Sequence, residues 1–179
     1  MKVRKRVLHY IYCPQCGSKL VVKEAGDEGK VPYCHKCNQM WFDSFSSCVI
    51  ILVANEYHEI AMLKQNYMSE KYWTYVSGFI KTGETAEETA IREIKEELGL
   101  EIEKLEYGGT YWFAEREQLM HGFIGFAKKA DFVLSCEVNE AEWVQAKLAP
   151  KRMFPEKPGN TQYPLYRKYL QMIEEYKHQ

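Results

Sequence analysis

No apolar run in this sequence is long enough to cross a bilayer. The longest, Cys48 to Ala54 (CVIILVA), is of strand length, against the ~20 residues that a membrane helix needs. The opening MKVRKRVLHYIYCPQC lacks the apolar stretch and cleavage site of an export signal, which predicts a soluble, cytoplasmic protein with no membrane partner. A dominant charge is missing as well. With 24 basic and 25 acidic residues the net charge is -1, so no broad positive field exists to gather nucleic acid. The one basic cluster, Lys2, Arg4, Lys5 and Arg6, reads as a solvated terminal tail. Internal repeats and low-complexity tracts are also absent, and 46% apolar with 27% charged residues is the composition of a chain that folds by burial. Its 179 residues suffice for one ordinary domain and a small appendage.

Four of the six cysteines fall into two Cys-x-x-Cys pairs, Cys13 with Cys16 and Cys34 with Cys37, with 17 residues between the pairs. Without an export signal, metal is the favoured use over disulfides. A redox dithiol would need one pair only, whereas two pairs at this spacing belong to four-thiolate zinc sites. Two residues between thiolates let each pair bend around one ion, and Gly17 relieves the backbone after CPQC. With every ligand position filled by protein, the zinc is expected to be structural, and His35 a bystander. Residues 10–43 carry few aliphatic side chains, as expected of a module held together by its metal. Cys48 and Cys136 are expected as buried free thiols in apolar strands.

After the cysteine pairs the texture changes. CVIILVA and the run from Ile60 to Leu63, separated by ANEYHE, predict a buried hairpin. Further strands are expected at Tyr72 to Val76, Gly122 to Ala127, Phe132 to Leu134 and Glu142 to Gln145, and helices near Thr85 to Leu98 and Thr161 to Tyr176. In the last helix Tyr163, Tyr166, Leu170 and Ile173 form one apolar stripe, expected to face the core. This order predicts an α/β fold, a mixed sheet covered by helices rather than a βαβ repeat.

The densest chemistry lies in GFIKTGETAEETAIREIKEELGL, Gly78 to Leu100. Thr85 and Glu88 make a capping box that starts a helix, and Gly99 supplies its left-handed stop. Ile91, Ile94 and Leu98 share one face. Glu93, Glu96 and Glu97, at i, i+3 and i+4, share another, so that three carboxylates are expected to converge. Such like charges repel by a few tenths of a kcal/mol per pair, roughly, on an exposed helix. A solvated acidic face is the ordinary outcome; a hard divalent cation, magnesium or manganese, is the one that would give the cluster a function.

The positions Gly78, Glu84, Arg92, Glu93, Ile94, Glu96, Glu97, Gly99 and Leu100 match the Nudix box, and the chain resembles that family of diphosphate hydrolases. The resemblance implies a Nudix α/β/α sandwich with a mixed sheet over residues 46–179, preceded by a small zinc-ribbon module over residues 1–45. It further implies that Glu93, Glu96 and Glu97, with the Gly78 carbonyl, hold Mg2+ or Mn2+. Glu84 and Arg92 are implied to be a structural ion pair. Catalysis is implied to fall to Glu93, Glu96 and Glu97, the metals preparing water for attack on phosphorus.

A zinc ribbon before a Nudix domain is similar to the NADH pyrophosphatase subfamily, which cuts NAD(H) to nicotinamide mononucleotide and AMP. The match extends to Glu140-Ala-Glu-Trp143 and to Pro158-Gly159. It makes Glu140 a candidate metal ligand or base, the other reading being a surface carboxylate at a strand start. Where that subfamily carries Ser-Gln-Pro-Trp-Pro-Phe, this chain reads TYWFAEREQLMHGF from Thr110. Tyr111, Trp112 and Phe113 are candidates for stacking on a base, or else core aromatics. The expected partner is a small nucleotide: NAD(H) first, with ADP-ribose, a nucleotide-sugar or NAD-capped RNA as alternatives, the last being the one nucleic acid admitted. The resemblance implies a homodimer. The alternative from another class is a non-catalytic ligand sensor or regulator.

Overall fold

The computed structural model describes residues 10–65 and 67–177. The basic cluster Lys2, Arg4, Lys5 and Arg6 lies outside the described residues. The chain divides into two compact units, Met1–Phe45 and Ser46–Gln179.

In the first unit, β1 (Val21–Glu24), β2 (Lys30–Cys34) and β3 (Gln39–Met40) form an antiparallel sheet in the order β1-β2-β3. A single 3-10 turn at Gly26–Glu28 reverses the chain between β1 and β2. Among the described residues the buried apolar side chains here are few: Cys13, Val31, Pro32, Tyr33 and Cys34, while Val21 and Val22 of β1 stay exposed. Two of those five are cysteines, so hydrophobic burial, worth ~1.5–3 kcal/mol per large side chain, contributes little.

The second unit is built on β4 (Ser46–Ala54), β5 (Glu59–Gln65), β6 (Val76–Phe79), β7 (Lys104–Phe113), β8 (Gln118–Phe126) and β9 (Val138–Gln145), with α1 (Ala86–Leu98) and α2 (Gln162–Lys177). The strands run in the order β7-β8-β4-β5-β9, with β6 also on β4. The β4–β8 pair is parallel and the others antiparallel, giving the mixed sheet expected.

The apolar run CVIILVA needs no polar alternation because both faces of β4 are covered. Cys48, Ile50, Leu52 and Ala54 join the core under α2, with Leu165 and Tyr169. Val49, Ile51 and Val53 join the core under α1, with Ala90, Ile94 and Leu98. Tyr163, Tyr166, Leu170 and Ile173 pack on the first of these cores, as their spacing indicates. The expected hairpin is present, with Val53 opposite Ala61 and Ala54 opposite Ile60. The other end of that edge of β4 pairs with β6, Cys48 opposite Phe79 and Ile51 opposite Val76. β5 and β6 therefore share one edge of β4, and the sheet forks between them.

Three expectations are corrected. Phe132 to Leu134 is not a strand: the Val133 amide donates to Leu98 O at the end of α1, 2.9 Å, and Phe132 stacks on Trp143 with centroids 5.0 Å apart. Those apolar residues close a helix end and cover an indole, with no ladder to join. The strand expected at Tyr72 to Val76 starts at Val76 and runs into the box; before it, Thr74 and Trp73 make single bridges to Leu63 and Met153. Cys136 is exposed and sits in a turn, whereas Cys48 is buried in β4.

Candidate functional site

Helix α1 carries the site and its ends are fixed as its sequence indicates. Thr85 Oγ1 accepts from the Glu88 amide at 3.2 Å and Glu88 Oε2 accepts from the Thr85 amide at 2.9 Å. Gly99 takes the left-handed conformation, φ 71°, and its amide donates to Lys95 O. Gly78 of β6 touches the helix: a Cβ there would lie 2.0 Å from Glu93 Oε1. Only glycine leaves space for the Glu93 carboxylate against the strand.

Arg92, with a side chain 19% exposed, organises the acidic face. Its Nε and Nη2 donate to the two oxygens of Glu84 at 2.7 and 2.9 Å. Nη1 donates to Glu93 Oε1 at 2.7 Å and to Glu96 Oε2 at 2.9 Å, and Nη2 also reaches Phe79 O at 3.2 Å. Charge-assisted bonds of this kind are the strong ones. The Arg92 guanidinium holds Glu84 down at about 2, helped by the Lys81 amide and the Thr89 hydroxyl. Glu84 in turn raises Arg92, chiefly through the same hydrogen bonds.

Glu97 differs from its neighbours. It is 4% exposed, and burial followed by the charge of Glu93 pushes it up to about 8, against the pull of a hydrogen bond from Gln65. Burial also raises Glu93, with Arg92 opposing. Glu97 Oε1 accepts from Gln65 Nε2 at 2.6 Å, while Glu97 Oε2 has no hydrogen-bond partner among the described residues. A buried carboxylate with an unmatched oxygen, in repulsion with a half-buried one, makes the hard donor set that suits Mg2+ or Mn2+. Arg92 Nη1 lies between Glu93 Oε1 and Glu96 Oε2 and ties the two carboxylates to one point.

The carboxylates open into a cleft of about 1060 Å3 where the sheet forks. Gly78, Glu93, Glu96 and Glu97 line it from the α1 side, and Cys48, Ile50 and Met120 from the face that packs under α2. Lys81, Arg116 and Lys157 bring positive charge to it, and Phe154 and residues 159–162 of the approach to α2 close another side. Of the expected aromatics only Phe113 lines this cleft. Strand alternation divides them: Tyr111 packs with Phe113 against the α2-side core, its hydroxyl on Gly108 O at 2.7 Å, and Trp112 points to the opposite face.

Glu140 is not brought to the cleft. Its carboxylate, 57% exposed, pairs with Lys64 at 3.2 Å across the β5–β9 ladder and lines a separate depression. Two later carboxylates do line the cleft: Glu115, paired with Lys157, and Glu137, three residues before Glu140, whose charge helps to raise Glu97. Sequence reasoning missed Glu137. The available signal was the Glu that opens EVNEAEW. Gln65 was missed too, being a lone amide at a strand end.

In the first unit the four sulfurs of Cys13, Cys16, Cys34 and Cys37 lie within 4.8 Å of one another, with Cys13–Cys37 at 3.9 Å and Cys16–Cys34 at 3.5 Å. A tetrahedron of Zn–S bonds of about 2.3 Å places sulfurs ~3.8 Å apart. The donor set fits zinc, and the separations are far beyond the ~2.05 Å of a disulfide. Hydrogen bonding with Ser18 lowers Cys16 to about 6, whereas its bond with Cys16 raises Cys37 to about 12. One proton acid enough to leave early and one held late are what crowded thiols show before a cation replaces their protons.

Among the described residues no helix is long and apolar enough to cross a membrane. The NUDIX domain family profile matches residues 45–166. The NAD-capped RNA hydrolase NudC of Vibrio atlanticus is 26% identical over 143 residues, covering 78% of this chain and 51% of that protein. Nudix hydrolase 19, chloroplastic, of Arabidopsis thaliana is 34% identical over 139 residues, covering 74% of this chain and 32% of that protein. The chain thus spans about half the length of the NudC relatives it matches. In fold it is similar to a NUDIX hydrolase of Nitrosomonas europaea, TM-score 0.67 at 19% identity, covering 92% of this chain and 93% of that one. With the capped acidic helix, the forked mixed sheet and a profile match over most of its length, this chain belongs to the Nudix family.

Proposed function

We propose that this chain is a divalent-metal-dependent hydrolase that cleaves the diphosphate linkage of a nucleoside diphosphate derivative. Within that class NAD(H), cut to nicotinamide mononucleotide and AMP, is the leading substrate. The observation that carries the reading is Glu97, buried beside Glu93 with an unmatched oxygen, at a cleft of a size that holds a nucleotide. Glu93, Glu96 and Glu97, with the Gly78 carbonyl, would hold the cation. When bound, Mg2+ or Mn2+ neutralises the diphosphate oxygens and makes water acidic enough to attack phosphorus at neutral pH. Water adds to phosphorus, the P–O–P bridge breaks, and the departing phosphate carries away the bridging oxygen.

This chain's own side chains divide the remaining work. Arg92 with Glu84 braces the loop and keeps Glu93 and Glu96 in register with Gly78. Lys81 and Arg116 are placed to meet phosphate charge, and Phe113 offers a face for a base. The role of later ligand or base expected of Glu140 passes in this reading to Glu137, because Glu140 is committed to Lys64 outside the cleft. In the first unit Cys13, Cys16, Cys34 and Cys37 hold a structural Zn2+. A homodimer and a cytoplasmic location complete the reading. Hydrolysis of NAD-capped RNA is the second reading, supported by the activity for which the NudC relatives are named, whose substrate carries the same linkage.

The test is a panel of NADH, NAD, ADP-ribose, nucleotide-sugars and NAD-capped RNA, incubated with zinc-loaded protein and Mg2+ or Mn2+, with released mononucleotides measured. Turnover of NADH, reduced about a hundredfold or more in Glu97→Gln on the scale of a lost transition-state charge contact, is expected. No turnover of any member, or Glu97→Gln equal to wild type, overturns the enzyme reading.

A further inference from the structure

Gln65 ends β5 at an irregularity of the β5–β9 register, between Lys64 and Gln65, and is 2% exposed. An amide has two ends to satisfy, and burying it with one end unmatched is costly. Here Nε2 donates to Glu97 Oε1 at 2.6 Å. Gln65 Oε1 has no hydrogen-bond partner among the described residues, and neither has Glu97 Oε2. Both side chains line the large cleft. A methionine would fill the same volume with no polar atom to satisfy. The unmatched carbonyl therefore asks for something that the fold alone does not provide.

The donor end of the amide must face the carboxylate, which leaves the carbonyl end for another partner. Glu97 is thereby pinned through one oxygen with the other uncommitted, in the manner of the outer residues that orient metal-binding carboxylates. We propose that Gln65 is a positioning residue of the cation centre, fixing Glu97 through Nε2 and offering its carbonyl as a neutral acceptor to waters around the cation. The proposal rests on the reading of Glu97 as a cation ligand. Neutrality is the useful property: a further carboxylate would add to the repulsion already raising Glu97, whereas an amide carbonyl offers an acceptor without charge.

The test uses substrate-free, zinc-loaded, full-length protein and the loss of the free Mn2+ electron paramagnetic resonance signal on binding. Gln65→Met is expected to weaken Mn2+ binding roughly 10–100-fold. In the Glu97→Gln background the same change is expected to weaken it by less than about threefold, because coupled residues do not add. Unchanged Mn2+ affinity in Gln65→Met, or full additivity with Glu97→Gln, overturns the proposal. Should Gln65→Met melt below the assay temperature, wild-type protein serves. Titration with Mg2+ is then expected to shift the Gln65 side-chain amide resonances with the same midpoint as the Glu97 backbone amide. Resonances that stay fixed overturn it. Wild type that binds no Mn2+ overturns this proposal and the enzyme reading together. Wild type that binds Mn2+ in this way but hydrolyses no member of the panel overturns the enzyme reading alone.

Discussion

The two units of this chain hold their shape by different means. Met1–Phe45 buries few apolar side chains and brings four sulfurs together, while Ser46–Gln179 buries two hydrophobic clusters, one on each face of its sheet. In the first, the proposed source of order is a zinc ion held by those four sulfurs. In the second, order depends on area removed from water, and the acidic cluster is an expense that the core absorbs. On the proposed reading, groups that suit a metal are structural in one unit and tolerated in the other.

The sharpest way to break that comparison is Cys34→Ser. Structural zinc contributes on the order of 10 kcal/mol to a small module, so the variant should lose its zinc and the protease resistance of residues 10–45. The thermal transition of the α/β unit should move little. Metal analysis alongside limited proteolysis reads both; one zinc per chain retained in the variant would contradict it.

The reciprocal experiment is Ile51→Ala. Ile51 is fully buried between β4 neighbours and α1, and truncation there costs about 2–5 kcal/mol. Urea unfolding should show that loss in the α/β unit with zinc content unchanged. Joint loss of both would mean that the units fold as one.

A smaller effect sharpens the contrast within the α/β unit itself. Glu97, raised from its ordinary 4.5 to about 8, binds its proton more tightly folded than unfolded. Its contribution is fully present below pH 4.5 and is lost as pH rises through about 8. Glu84, lowered to about 2 by Arg92, does the opposite: its contribution is present above pH 4.5 and disappears as pH falls through about 2. Metal-free protein should therefore lose thermal stability between pH 5 and 8.5, Mg2+ should restore it, and Glu97→Gln should flatten the slope. A metal-free melting temperature level across that range would contradict the burial of a titrating Glu97.

What could be read from the sequence was what local rules govern. The limits of α1 follow from Thr85, Glu88 and Gly99, the stripe of α2 from Tyr163, Tyr166, Leu170 and Ile173, and the sulfur cluster from cysteine spacing. Residues whose meaning is set by distant partners were harder. β7 was not anticipated as a strand because its burial is uneven along its length, giving no clean alternation. Phe132 to Leu134 looks like a strand until Leu98 O and Trp143 claim it. Glu137 and Glu140 are indistinguishable in EVNEAEW, and only Lys64 across the ladder separates them. Gln65 carries no signal at all until Glu97 is placed beside it.

The strand at the fork is also the one whose composition says least about its own alignment. A strand with one wet face resists slipping by a residue, because the slip would turn its greasy side to water. β4 has no such safeguard over CVIILVA, since either parity is apolar. Its alignment must come from its neighbours: the parallel ladder that runs from Ser46 opposite Gln118 to Ala54 opposite Phe126, and the short antiparallel one to β6. A one-step slip would exchange Cys48 and Ile50 for Val49 and Ile51 on the cleft floor. It would also part Gly78 from Val49, moving the glycine that makes room for Glu93. The core would scarcely register the error, whereas the cleft would be rebuilt, so this fold can be nearly intact by every measure of burial and still be misaligned at its cleft.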